Sequence, residues 1–331
     1  MKKFFSKMVN EFFGVSYKDP IQAHPQLGPL VAAYERMDGR QAEAMFKSSR
    51  GQWDFYTQVI DLTAERYFMA LHEPTREQMI DFYVKRKEVG WLISRGVWHM
   101  VEGWEARGGG RASTVTKEGF TELERRCRLA KKDLLEAAEQ DAENPAPYTF
   151  LLRAARGLSD RSLGEEAYAQ AIARDTHGYE PHRAFLRLIS QRWMGSHEEM
   201  LEQARHIAST APEGTDAASL VIEAHYDHYS YICRFDENVA LACAYLRDRD
   251  ILDEISQALV RSVDAPGYQL TPSTFYIRHL AAVLFWQAGQ TDAARAQLSK
   301  VGNVFCIQPW WQHTPQPEEF YTEVRKKLGL S

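Results

Sequence analysis

The signals this chain most conspicuously lacks are those of β-strands. No Asn-Gly or Asp-Gly turn sits between alternating β-branched runs. Asp38-Gly39 falls between helical patterns, and Val, Ile and Thr are sparse beside Ala, Leu, Glu, Arg and Gln. The composition therefore predicts an all-α protein. No run of 18 apolar residues occurs, which excludes a membrane-spanning helix and integral membrane association. Positive charge is not in excess either. The 40 Lys and Arg stand against 45 Asp and Glu, a net charge of −5, so no global field draws nucleic acid. Cysteine is scarce: Cys127, Cys233, Cys243 and Cys306 form no C-x-x-C pair and read as reduced, mostly buried thiols of a cytoplasmic protein.

Motifs that carry chemistry are missing as well. There is no G-x-S-x-G. The three glycines in RGGGRAST (107–114) are not a phosphate loop, because no Gly-Lys-Ser/Thr follows and no strand precedes them. Each glycine costs about 1 kcal/mol in a helix, so this stretch is read as an exposed loop. His197, Glu198, His206, Glu223, His225, Asp227 and His228 lie close in sequence. His197-Glu198 opens like a zinc-protease motif, but Leu201 stands where the second histidine must be, leaving one ligand per helix face. The expectation is no metal and no cofactor.

What is present is helical periodicity over an ordinary globular composition, 44% hydrophobic and 26% charged. In MKKFFSKMVNEFFG, apolar residues fall at 4, 5, 8, 9, 12 and 13, one helix face. Lys7, Asn10 and Glu11 interrupt any signal-peptide core, so residues 1–26 are read as an amphipathic segment docking on the body rather than on a membrane. Met79, Phe82, Val89, Ile93, Val97, Met100 and Trp104 form a stripe broken by Arg86. Phe120, Leu123, Cys127, Ala130, Leu134 and Ala137 form the next. Arg125, Arg128 and Lys132 share a face and are read as solvated and balanced by acidic residues downstream. Trp310-Trp311 are expected to be buried.

A repeat emerges at the centre. Pro147 and Pro181 are 34 residues apart; Leu151-Leu152 aligns with Phe185-Leu186 at that offset, as does Ser162 with Ser196, each an expected N-cap. Each copy reads as an αα-hairpin, PYTFLLRAARGL–SDRS–LGEEAYAQAIARD and PHRAFLRLISQRW–MGS–HEEMLEQARHIAST. LAAVLFWQAGQTDAARAQLSKV is the clearest unit, with small Ala282 and Ala294 where two helices must approach, Phe285 filling the gap and Gly289 in the turn. Pro317, Glu318, Glu319, Lys326 and Lys327 mark a closing helix by its ends.

These residues resemble tetratricopeptide repeats. The strings Arg192-Trp193-x-Gly195-Ser196-His197 and Glu223-Ala224-His225 are also similar to strings in bacterial helical proteins of unassigned activity. The resemblance implies a right-handed array of αα-hairpins, a TPR-like solenoid, over residues 141–302, after an irregular helical region, 27–140, and before a C-terminal cap, 303–331. It implies a scaffold that binds a protein or peptide partner on the concave face lined by the first helices. On that face the expected contact residues are Arg153, Arg156, Arg183, Arg187, His225, Tyr229, Tyr276, His279 and Trp286. Several arginines there suit an acidic peptide or a C-terminal carboxylate. The alternatives are a regulatory or toxin-neutralising bacterial protein, and an enzyme with a histidine-rich pocket around residues 197–228.

Overall fold

The structure is a computed structural model, and it describes residues 17–86, 88–311 and 313–330. The amphipathic segment expected at the start of the chain lies outside the described residues up to residue 16. The chain is all-α, 73% helical, with no strand among the described residues beyond one isolated bridge between Lys18 and Val304. In chain order the first helices are α1 (Pro20–Ala23), α2 (Leu27–Glu35), α3 (Arg40–Ser48), α4 (Trp53–Leu62), α5 (Arg76–Val84) and α6 (Val89–Arg107). Then come α7 (Lys117–Gln140), α8 (Ala146–Leu158), α9 (Arg161–Arg174), α10 (Tyr179–Leu188), α11 (His197–Thr210) and α12 (Leu220–Arg234). The last are α13 (Val239–Leu246), α14 (Arg249–Arg261), α15 (Thr274–Gln287), α16 (Thr291–Val301), α17 (Ile307–Trp310) and α18 (Pro317–Lys327). They fall into two compact units, residues 29–207 and residues 208–331 with the chain up to Gly28.

In the first unit, α6 and α7 form the most extensive helix pair, and α7, α8, α9 and α10 each pack against the next. The pairing follows from the sequence stripes: Leu123, Cys127, Ala130, Leu134 and Ala137 of α7 are all buried. Close approach is possible because Gly103 of α6 faces Leu123, where an added Cβ would meet the Leu123 Cα at 3.3 Å. Helices α6, α8 and α10 are also neighbours of one another, α6 against α8 and α8 against α10. Helix α4 packs against α6, α8 and α10. It runs on into a π-helical turn, Thr63–Phe68, where the Thr63 hydroxyl donates to the Val59 carbonyl at 2.8 Å. An aromatic core of Phe46, Tyr67, Phe68, Tyr83 and Trp91 closes this end, with Tyr83 and Trp91 stacked at 4.5 Å.

In the second unit, α15 and α16 form the most extensive pair. Ala281, Ala282, Val283, Leu284, Ala294 and Leu298 are fully buried between and behind them, and Gly289 turns the chain at φ +82°. Helix α18 begins at Pro317 and ends in Arg325, Lys326 and Lys327, as its capping residues require. Tyr321, Val324 and Leu328 seal it to the unit, and Tyr17 packs on Tyr321 at 5.1 Å.

Four details depart from the sequence reading. The stripe from Met79 to Trp104 is two helices, because the chain turns between Val84 and Val89. Met79 and Phe82 are consequently exposed, and Trp104 is half-buried. Asp160, not Ser162, caps α9, its carboxylate accepting the Leu163 N–H at 3.0 Å, whereas Ser196 does cap α11, accepting from Glu199 at 3.1 Å. Arg125 and Arg128 are balanced by Glu122 and Glu124 on their own helix, upstream rather than downstream. Finally, the tryptophan pair splits. Trp310 is fully buried, while Trp311 is 42% exposed under the Arg234 guanidinium.

Candidate functional site

The site lies in the first unit. Helix α6 ends at Arg107, and the Arg107 Nη1 donates to the carbonyls of Gly108 (2.9 Å) and Gly110 (3.1 Å), fixing the glycine loop against the helix end. Gly108 takes φ +77°, which a side chain would strain. Gly109 faces open space, and its backbone makes no hydrogen bond among the described residues. This loop forms one wall of a cleft of about 360 Å³. Met100, Val101, Trp104 and Glu105 from α6, Glu65 from the π-helical turn, and Arg153 and Arg156 from α8 complete the lining.

Helical spacing explains the convergence. Residues 153 and 156 are one turn apart on α8, as are Val101 and Glu105 on α6, so each helix presents two successive side chains to the cleft. The two arginines are held differently. Arg153 Nη1 donates to the Asp61 carboxylate at 2.6 Å, and its guanidinium lies 5.1 Å from the Phe150 ring. Arg156 has no such partner. Its guanidinium sits 5.6 Å from the Trp104 ring and 5.1 Å from the Trp193 ring, the two indoles themselves meeting edge to face at 5.6 Å. It makes no hydrogen bond and no ion pair among the described residues, and its Nε is shut away from solvent with no acceptor. Loss of hydration, followed by repulsion from Arg187 and Arg153, lowers its pKa to about 9.

The same face carries a second, closed cluster. Asp54 of α4 accepts the backbone N–H groups of Tyr179 (2.9 Å) and Glu180 (2.8 Å) and so caps α10 from another helix. Gln58 donates to Glu180 at 2.6 Å, and Arg183 lies 3.7 Å from the Glu180 carboxylate. Asp54, Gln58 and Asp61 fall at i, i+4 and i+7, a single stripe of α4 laid over α8 and α10. Burial raises the pKa of Glu180, and it pushes Asp54 up to about 8 despite the two amides. Acidic and amide side chains of α4 therefore already occupy Arg153 and the start of α10, whereas Arg156 receives none of them.

The nine residues picked from sequence divide between the units. Arg153 and Arg156 share the cleft, and Arg183 and Arg187 lie on the adjoining helix. The other five belong to the second unit, and three of them are internal. His225 is fully buried, with Nε2 on Glu254 at 2.9 Å and Nδ1 on the Tyr245 hydroxyl at 2.5 Å; it ties α12 to α13 and α14. Tyr229 is 1% exposed. His279 is fully buried, accepting the Trp310 indole N–H at Nδ1 (3.0 Å) with Nε2 against the Val304 carbonyl (3.1 Å). Burial removes these three from any surface a partner could touch. Tyr276 and Trp286 are half-buried. In the stretch 197–228 and elsewhere among the described residues, no three His, Cys, Asp or Glu side chains are arranged to hold one metal ion.

Sequence reasoning missed Trp104, Trp193 and Glu65. Trp104 sits on an apolar stripe that reads as core, Trp193 lies in a turn, and nothing in the local pattern reveals a π-helical turn. Of the lining, Arg153 and Arg156 were legible as contact residues and the glycine triplet as an exposed loop. No helix among the described residues is long and apolar enough to cross a membrane. Comparison with protein-family models, curated proteins and solved structures finds no match for this chain.

Proposed function

We propose that this chain is a binding scaffold that takes an anionic group of a peptide or protein partner at Arg156. The scaffold is read as TPR-like over residues 141–302, beginning with α8–α9 and α10–α11 as hairpins whose first helices line the binding face. The packing of α8 against α9 and against α10 supports that reading. The observation that carries the proposal is the guanidinium of Arg156, set in the corner of two indoles that meet edge to face and left without a carboxylate. A charge withdrawn from water without a counter-ion costs stability, and Arg153, Arg183 and Arg187 add to the positive potential around it. Such an arrangement is worth its cost when a ligand supplies the missing anion, through charge-assisted hydrogen bonds. Neighbouring tryptophan and arginine are the residue types in which interface hot spots are enriched.

The test is titration of purified protein with fluorescent peptides carrying carboxylates, against neutral peptides of the same length. Arg156→Glu with Arg187→Glu is expected to abolish binding while leaving the melting temperature nearly unchanged. Binding that persists undiminished in the double variant places the site elsewhere.

A further inference from the structure

Resting on that reading, we infer that the ligand group is a single carboxylate on an apolar body, the C-terminus of a peptide, rather than a phosphate or a run of acidic residues. Three features of the cleft narrow the chemistry. The first is charge. Arg153 is already neutralised by Asp61, so Arg156 is the one unpaired cation in the lining, and Glu65 and Glu105 border the same space. A second negative charge on the ligand would lie against those glutamates with no cation to meet it. A phosphate dianion or a polyacidic segment is therefore disfavoured, whereas a monocarboxylate satisfies the guanidinium and leaves the glutamates in water.

The second feature is the apolar wall. Trp104, Met100, Val101 and the neighbouring Trp193 offer an indole and aliphatic surface directly beside the cation. A group whose charge is followed at once by hydrocarbon fits there, with gains in area burial that a phosphate could not make. The volume, about 360 Å³, is at the small end for ligand sites and accommodates about one or two residues, not an extended acidic stretch.

The third feature separates a peptide from a free organic acid. Gly109 presents an unused backbone N–H and C=O beside the cleft, with no side chain to hold a ligand away. A peptide main chain can pair with both groups while its terminal carboxylate stays on the guanidinium, whereas a free hydrocarbon acid has no N–H to donate to the carbonyl and only its one carboxylate to accept with.

The experiment uses the full chain and isothermal titration calorimetry with five probes. These are a blocked tetrapeptide ending in Leu-Phe with a free carboxylate, the same peptide as its C-terminal amide, 3-phenylpropionate, inorganic phosphate, and an amidated peptide rich in internal glutamate. The free-carboxylate peptide is expected to bind at least ten-fold more tightly than its amide, with 3-phenylpropionate weaker and phosphate and the glutamate peptide weaker still. Arg156→Gln should remove at least ten-fold of the affinity. Should that variant fold poorly, Gly109→Val, which has open space around its Cβ in the free protein, should block the cleft without altering the melting temperature. Equal binding of acid and amide, or tightest binding by phosphate, overturns the inference. Tightest binding by the glutamate peptide, dependent on Arg156, overturns the inference and leaves the anion-binding reading standing. Tightest binding by 3-phenylpropionate keeps the monocarboxylate but overturns the peptide. Absence of any Arg156-dependent binding overturns both readings.

Discussion

At the scale of single residues, Arg156 is a cation whose environment disfavours its own charge. Its pKa falls from the ordinary arginine range to about 9, first through burial and then through Arg187 and Arg153. In the folded protein the proton is held less tightly than in the unfolded chain, so at every pH below about 9 the charge works against folding. The two indole faces return part of that cost, on the order of 0.5–1 kcal/mol each. Replacing the guanidinium with an apolar chain of similar reach should therefore be harmless to the fold. Arg156→Met keeps contact with Trp104 and Trp193 through its thioether. Its urea midpoint at pH 7 is expected to equal or exceed that of the natural protein, together with the loss of binding described above. A loss of stability greater than about 1 kcal/mol would mean that Arg156 is a structural residue and not a binding one.

At the scale of elements, the hairpin α15–α16 shows what small residues accomplish. Ala294 is fully buried on α16, and Ala282 is fully buried on α15. Ala294→Trp has no space to enter and is expected to cost at least about 1–3 kcal/mol by overpacking, read as a lower urea midpoint with an unchanged slope. An unshifted midpoint would show that α16 does not pack there. This hairpin was legible because its signals are local: an Ala-x-x-Phe helix, a glycine in the turn and a second Ala-rich helix, all within one stretch of chain. Arg153 and Arg156 were legible as a pair for the same reason, one turn apart on a helix whose other face is apolar. The rest depends on distant partners. Asp54 lies 125 residues from the amide it caps, and Asp61 lies 92 residues from Arg153. Nothing in the period of α4 distinguishes a stripe that meets water from one that meets arginines. His279 reads as a polar residue on a repeat face. It is internal because Trp310, far along the chain, supplies its hydrogen bond.

At the scale of the whole molecule, the pH response is a contest between buried bases and buried acids. Burial holds the imidazoles of His24, His99, His182, His279 and His313 below their ordinary range, His279 to about 3. It also raises the carboxyls of Asp54, Asp61, Asp133 and Glu180. As pH falls below about 6.5, unfolded histidines bind protons that the folded ones refuse, and stability drops. Over much of that range the raised carboxyls hold protons that the unfolded chain gives up, and stability rises. The sum is flattened by cancellation, so each side must be isolated by difference. His279 is the clearest case. Its Nδ1 accepts the Trp310 indole proton, so a second proton would set two donors against each other. Nε2 meets the Val304 carbonyl, the Tyr321 ring packs at 5.3 Å, and the Arg325 charge further disfavours an imidazolium. With a folded pKa near 3 against an unfolded value near 6.5, its contribution is complete above pH 6.5 and is lost as pH falls from there toward 3. His279→Gln, whose amide oxygen can still accept the indole proton, should be less stable than the natural protein at pH 7.5. Between pH 6 and pH 4 the gap should shrink by up to about 1.4 kcal/mol per pH unit. Urea titrations of both proteins at pH 7.5, 6, 5 and 4 give the gap directly. A gap that stays constant over that range would show that His279 takes up its proton in the folded state as readily as in the unfolded chain.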